Sequence, residues 1–277
     1  MPTPEQTNPT VLVIGGTGTT GSRVVARLES QGRPVRIGSR SAQPPFVWED
    51  PETWTAVLDG VDRVYIIHPV LGTPEAGEQI EAFARAAVAR GIRRLVMLSG
   101  RGSSEVQAVE EGVKSAGAEW TIVRPGWFNQ NFSEASILGF AELVKAGEIA
   151  LPFGDAAEAF VDADDIAAVV VAALTDDRHV GKTYELSGPA MLSFAEVAAE
   201  LSAATGREIV YTPLTIEQYR EVVRKRGLPV EYADMFAGGL DGSDSHVVNG
   251  VEEALGRKPK DFSEYARETA ATGVWDA

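Results

Sequence analysis

The sequence contains no cysteine. That excludes disulfides, thiolate metal sites, iron–sulfur clusters and cysteine nucleophiles. Histidine is nearly as scarce, with only His68, His179 and His246. They stand far apart and lack the close spacing of a helical metal pair, so no metal site is expected. No apolar run reaches the roughly 18–20 residues that a membrane span needs. Positive charge is also short: 25 Lys and Arg face 40 Asp and Glu, a formal net charge of −15 over 277 residues. A surface that negative repels phosphate backbones and anionic lipid, which argues against nucleic acid or membrane as a partner. Residues 1–9 are polar, hold Pro2, Pro4 and Pro9, and lack the basic-then-apolar order of a secretion signal. They read as a short disordered tail, and a cytoplasmic location is expected.

What is present alternates between strand and helix patterns. Val11–Ile14 (VLVI) is entirely apolar and runs into glycines, as in a parallel strand buried on both faces. Val24, Val25 and Leu28 recur at helical spacing before Gly32. Further strands are expected at Pro34–Gly38, Arg63–His68, Arg94–Ser99, Trp120–Arg124 and Thr183–Ser187. Helices are expected at Trp54–Leu58, Pro74–Arg90, Val106–Ser115 and Ala135–Ala146. Ala159–Leu174 starts extended and turns helical near Asp164. Ser193 and Glu196 form a capping box for a helix to Thr205, followed by a strand at Ile209–Thr212 and a helix at Ile216–Arg226. The fold class is therefore α/β: a doubly wound parallel Rossmann sheet with a small C-terminal α/β lobe. The expected division assigns residues 10–134 plus 159–189 to the nucleotide-binding domain. Residues 135–158 plus 190–277 form the substrate lobe.

The loop Gly15-Gly16-Thr17-Gly18-Thr19-Thr20-Gly21 follows a strand and opens a helix. In that context its glycines serve a tight turn, close approach to a pyrophosphate and close helix–strand packing. The helix N-terminus then meets the phosphates with free N–H groups, and Thr17, Thr19 and Thr20 can add hydroxyls. The second strand ends in Gly38-Ser39-Arg40-Ser41 and carries no acidic residue there. A 2′-phosphate therefore meets a hydroxyl and a guanidinium rather than a carboxylate, which favours NADP(H) over NAD(H).

GGTGTTG, GSRS, FVWEDPETW (Phe46–Trp54), VMLSG and RPGWFNQNF (Arg124–Phe132) together resemble the atypical short-chain dehydrogenase/reductases. More narrowly they resemble the NmrA-like group, in the branch of fungal ergot-alkaloid reductases of the agroclavine dehydrogenase type and their actinobacterial relatives. The likeness extends to VDADDIA and YELSGPAMLSFAEVA. It implies that Gly15, Thr17, Gly18, Thr19, Thr20 and Gly21 line the pyrophosphate, and that Ser39 and Arg40 meet the 2′-phosphate. Trp48 or Asp50, after a third strand, would lie near adenine. His68 and Pro69 end a fourth strand near the nicotinamide ribose, and Ser99 and Gly100 end a fifth. Pro125, Gly126, Trp127 and Phe128 would border the nicotinamide and the substrate, and the three rings of Trp127, Phe128 and Phe132 can equally form an aromatic wall for a flat substrate or pack as core between the two lobes.

The chain departs from that pattern at one point. Reductases of the wider superfamily carry Tyr-x-x-x-Lys, but no tyrosine stands between Ser99 and Trp120, and the only lysine there is Lys114. Carbonyl reduction with a tyrosine acid is therefore unsupported. An iminium or quinone is already electrophilic, so reduction by NADPH with a proton from Ser99 or solvent is expected. The alternative is a nonenzymatic NADP(H) sensor of the NmrA type. A sugar-nucleotide or isoflavone-type reductase is disfavoured by the missing lysine. Asp162, Asp164 and Asp165 read as carboxylates at a helix N-terminus rather than metal ligands. Monomer and homodimer both remain open.

Overall fold

The computed structural model describes residues 10–102, 104–135, 139–231, 233 and 245–276. The tail expected at residues 1–9 lies outside them. In chain order the elements are β1 (Val11–Ile14), α1 (Thr19–Ser30), β2 (Val35–Gly38), α2 (Glu52–Leu58), β3 (Arg63–Ile66) and α3 (Pro74–Ala89). They continue with β4 (Arg94–Leu98), α4 (Ser104–Ala108), α5 (Glu111–Lys114), β5 (Glu119–Pro125), α6 (Phe140–Ala146), β6 (Glu148–Leu151), β7 (Ala157–Glu158) and α7 (Ala163–Thr175). The last are β8 (Lys182–Leu186), β9 (Leu192–Ser193), α8 (Phe194–Thr205), β10 (Val210–Pro213), α9 (Ile216–Lys225), α10 (Gly250–Leu255) and α11 (Phe262–Ala270). Among the described residues, no helix is long and apolar enough to cross a membrane.

The chain divides into two compact units. The first comprises residues up to Pro125, Ala163–Leu186 and Gly250–Arg257. The second comprises Gly126–Asp162, Ser187–Asn249 and the residues from Lys258 onward. This differs from the expected division at four places: 126–134, 159–162, 187–189 and 250–257. After Pro125, Asn129 N donates to Val161 O at 2.9 Å and Val161 N donates to Trp127 O at 2.8 Å. That pairing draws 126–134 and 159–162 into the second unit. Helix α10 returns to the first, where a Cβ on Gly250 would lie 2.0 Å from Glu185 O and Arg257 pairs with Asp165 at 2.6 Å.

In the first unit, six strands form one parallel sheet in the order β2-β1-β3-β4-β5-β8. The apolar runs of β1 and β4 are buried at every residue, as interior parallel strands require, whereas edge strands β2 and β8 keep partly exposed positions. The chain leaves β1 for β2 on one side and re-enters on the other as β3, which makes a switch point between β1 and β3. In such sheets ligands bind outside the carboxyl ends at that point.

The extra strand counted before Trp48 is absent. Residues 46–50 spend their hydrogen bonds on a local turn: Phe46 N donates to Ser39 O at 2.9 Å, and Trp54 Nε1 donates to Val47 O at 2.9 Å. His68 therefore follows β3, and Ser99 follows β4. The single helix expected over 106–115 is two short ones, α4 and α5, interrupted where Val109 and Glu110 turn inward.

The second unit pairs β10 with β6 in parallel and β7 with β9 antiparallel, and bridges Phe128 to Val161. Its core is aromatic: Phe132, Phe140, Phe153, Phe160, Phe194 and Phe262 pack together. Trp275 closes this core from the C-terminal end by donating Nε1–H to Phe132 O at 2.7 Å. The capping box on α8 forms as expected, with Ser193 Oγ accepting from Glu196 N and Glu196 accepting from Ser193 N. Helix α6 is described from Phe140, after Gly139 with a left-handed φ of 66°, and residues 136–138 of the expected helix lie outside the described residues.

Candidate functional site

The carboxyl ends of β1–β5 gather most of the expected cofactor residues. Gly15 continues β1 by donating its N–H to Gly38 O at 2.8 Å, and it turns with φ 65°. A Cβ on Gly15 would meet Ile67 Cγ2 at 2.7 Å, and one on Gly21 would meet Gly15 O at 2.1 Å. These two positions exclude any side chain on packing grounds alone. Gly18 is different: a Cβ there would sit 3.4 Å from Gly15 O, an ordinary contact. Gly18 and Thr17 are exposed. Gly18 is also the N-cap of α1, with no side-chain cap, and the first turn holds no acidic residue. A helix start so arranged keeps its amide donors and positive dipole end for an anion. The cradle therefore fits a pyrophosphate.

The three threonines separate. Thr17 is exposed and Thr19 half-buried, but Thr20 is enclosed. Thr20 Oγ1 shares a hydrogen bond of 2.9 Å with the Tyr65 hydroxyl on β3. Burial pushes that phenol well above the ordinary tyrosine range, so it stays protonated. The enclosed Thr20 hydroxyl thus ties α1 to the sheet. At the end of β2, Ser39 Oγ lies 3.3 Å from Ser41 Oγ. Arg40 is exposed and forms no ion pair with any described residue. An exposed guanidinium flanked in sequence by two serines suits a phosphate monoester.

Trp48, expected near adenine, is a core residue. Its ring packs edge-on against Phe46, Trp54 and Phe83 and lies 4.8 Å from the His68 ring. Asp50 is exposed and accepts Glu52 N at the start of α2. His68 has both ring nitrogens engaged, Nδ1 with Val70 of its own loop and Nε2 with Gln79 Oε1 of α3 at 2.9 Å. It therefore shapes the loop that carries Pro69.

Ser99 stands just past β4 and is nearly enclosed. Its backbone N–H joins Val123 O at 2.8 Å, and its Oγ donates to Glu110 Oε1 at 2.7 Å. Glu110 is 0% exposed. It also accepts Arg124 Nε at 2.7 Å, Arg124 Nη2 at 2.8 Å and Lys114 Nζ at 2.8 Å. Burial opposes the charge on this carboxyl, but the bonds from Arg124, Lys114 and Ser99 outweigh it and hold the group below its ordinary range. Lys114 is accordingly committed to Glu110 and lies over the Trp120 ring. Sequence reading missed Glu110 and Arg124. The available signals were the Glu110–Lys114 spacing of four and a charged residue closing an apolar strand. Gly100 follows Ser99, and Pro125 ends β5 with its carbonyl accepting Arg101 N at 3.1 Å.

The aromatic residues belong to the second unit. Trp127 stacks on Phe140 with ring centroids 6.0 Å apart, and Phe128 is half-buried beside Val161. Phe132, expected beside the substrate, has no exposed surface; it is the hub of the aromatic core, in contact with Phe140, Phe160, Phe194 and Phe262. The three aspartates are each paired. Asp164 meets Arg27 at 3.1 Å, Asp165 meets Arg257 at 2.6 Å, and Asp162 accepts Gln130 Nε2 at 3.2 Å.

Residues 7–268 match the NmrA-like family. The NAD(P)H azoreductase of Xenophilus azovorans is 34% identical, over 94% of this chain and 98% of its own. The agroclavine dehydrogenase of Claviceps fusiformis is 29% identical, over 92% of each chain. Among solved structures, the NADPH-dependent quinone oxidoreductase QOR2 of Escherichia coli, complexed with NADPH, superimposes with a TM-score of 0.73 at 22% identity. That match covers 93% of this chain and 99% of the other.

Proposed function

The chain belongs to the NmrA-like family, and from that premise we propose that it is an NADPH-dependent reductase of small organic electrophiles of the iminium, imine or quinone type. The observation that carries this reading is the pairing of an anion cradle with a missing acid. The glycine loop and the unpaired Arg40 offer a place for a phosphorylated dinucleotide. The hydroxyl at the end of β4 gives its hydrogen to Glu110 and keeps none for a substrate. The azoreductase and clavine dehydrogenase likenesses support a reductase acting on nitrogen-containing electrophiles.

The amides of Thr19, Thr20 and Gly21 would bind the pyrophosphate at the start of α1, and Arg40 with Ser39 would bind the 2′-phosphate. When bound, NADPH supplies the hydride. Pro69, Gly100 and Pro125 would border the nicotinamide end at the switch-point side of the sheet. Ser99 supplies no proton, so any proton required comes from solvent. This confines the enzyme to acceptors that take hydride without general-acid help.

The test is NADPH oxidation, followed as loss of absorbance, against quinones, iminium ions, imines and plain aldehydes. Turnover with the first groups and none with aldehydes is expected. Tight NADPH binding without oxidation anywhere in the panel would instead identify a sensor. Substituting Arg40→Ala should weaken NADPH binding at least about 10-fold, the loss of a hydrogen-bonded charge, and leave NADH binding unchanged. An equal effect on both cofactors would remove the argument for NADPH.

A further inference from the structure

The bond between Ser99 and Glu110 can run in only one direction. A serine hydroxyl has one hydrogen, and Ser99 Oγ lies 2.7 Å from Glu110 Oε1. That carboxylate also takes hydrogen bonds from Lys114 and from Arg124 through two nitrogens. Two cations on one enclosed carboxylate keep it ionised, and an ionised carboxylate has no hydrogen to give. Ser99 must be the donor, and toward any other group its oxygen offers only lone pairs. The arrangement is rigid at both ends: the Ser99 backbone is tied to Val123, and Arg124 is tied to Glu185 at 3.4 Å as well as to Glu110.

We propose that Ser99 is a specificity residue that accepts a hydrogen bond from an N–H group of the substrate, so that the enzyme selects electrophiles protonated on nitrogen over those whose reacting heteroatom can only accept. This rests on the reductase reading above and narrows its substrate class to N–H iminium ions. The chemistry balances without an acid. The iminium carbon takes the hydride, the C=N π pair becomes the nitrogen lone pair, and the N–H stays in place. The products are a neutral amine and the oxidised nicotinamide, and no proton is consumed. A carbonyl in the same place would present an oxygen acceptor to an oxygen acceptor and would end as an alkoxide needing a proton. Ser99 lies at the carboxyl end of β4, next to the end of β3 and hence close to the switch point.

The discriminating pair of substrates is a cyclic ketimine protonated on nitrogen and the same ring N-methylated, an iminium without N–H. With NADPH, the wild-type ratio of kcat/KM for the N–H over the N-methyl substrate should be about 10, roughly the weight of one hydrogen bond. In Ser99→Ala that ratio should fall to about 1, and Ser99→Thr, which keeps a hydroxyl, should restore it. In Glu110→Gln the amide can donate to Ser99, turn its hydrogen outward and lower the ratio; the same change made in Ser99→Ala should leave the ratio where it was. A Ser99→Ala enzyme that keeps the wild-type preference overturns the proposal, and it does so even when Glu110→Gln fails to fold. A wild-type enzyme that reduces quinones but shows no preference within the pair overturns it too, while the reductase reading survives. A wild-type chain that oxidises NADPH with nothing removes both.

Discussion

Two ion-pair clusters sit at opposite ends of the same two interior strands, β4 and β5. At the amino ends, Arg94 opens β4 opposite Glu119 of β5 and binds Glu119 Oε2 at 2.7 Å and Asp177 Oδ1 at 2.5 Å. At the carboxyl ends, Ser99, Lys114 and Arg124 converge on Glu110. The participants are similar, but the buried member has the opposite sign. At the amino end the arginine is enclosed and its partner Asp177 is 90% exposed, so water and salt screen the pair. At the carboxyl end the carboxylate is enclosed and its cations reach in to it, which leaves little screening. The amino-end cluster ties β4 to β5 and to the segment before β8. The carboxyl-end cluster also orients a hydroxyl at the edge where a ligand is expected.

The sharpest way to break this contrast is to remove one anion at each end. Glu110→Ala leaves two cations without their buried partner and should cost about 3–5 kcal/mol in urea unfolding. Asp177→Ala should barely move the midpoint, and added salt should shrink its effect further. Equal losses would show that burial does not separate the clusters.

A smaller effect sharpens the account of the carboxyl edge. Gly21→Ala forces a Cβ to 2.1 Å from Gly15 O, so backbone must move, at about 1–3 kcal/mol of stability together with NADPH affinity. Gly18→Ala has room for its methyl and should keep the melting temperature while weakening NADPH binding. If both variants lose stability equally, Gly18 is a packing glycine like Gly21.

The smallest effect is acid sensitivity, and it should appear first at the amino end. His179, just before β8, shares a hydrogen bond with the Tyr184 hydroxyl and accepts one from Arg178. Burial, then Arg178, lowers its pKa below the ordinary 6.5. The unfolded chain therefore binds that proton more readily, so the neutral ring's contribution is complete above about pH 6.5 and is lost as pH falls through the lower folded value. Glu110 is also lowered, from 4.5, so its contribution is complete above that value and lost only in stronger acid. Unfolding free energy measured against pH should begin to fall below about 6.5, and His179→Gln should flatten that first decline. A decline unchanged in His179→Gln would place the early acid response elsewhere.

How much of this was legible depended on the range of each signal. The buried strands VLVI and RLVML, the glycine loop and the α8 capping box are written within a few neighbouring residues, and they fold as read. The strand that the resemblance implied before Trp48 does not form, because the hydrogen bonds of that segment return to Ser39 and to the Trp54 side chain. Trp48 and Phe132 are aromatic residues in motif segments that turned out to be core, since an aromatic ring carries the same pattern whether it packs or binds. Glu110 gave no local sign of being enclosed, because the arginine that holds it lies 14 residues along the chain.

By itself, the sequence determined the glycine-loop cradle: a strand, three spaced glycines and a helix start specify turn, approach and packing through steric rules that act between near neighbours. Only the tertiary structure decided the polarity of Ser99. The direction of a hydroxyl hydrogen is set by whichever acceptor meets it, and that acceptor is charged because β5 and the helices after β4 bring Arg124 and Lys114 to the same carboxylate.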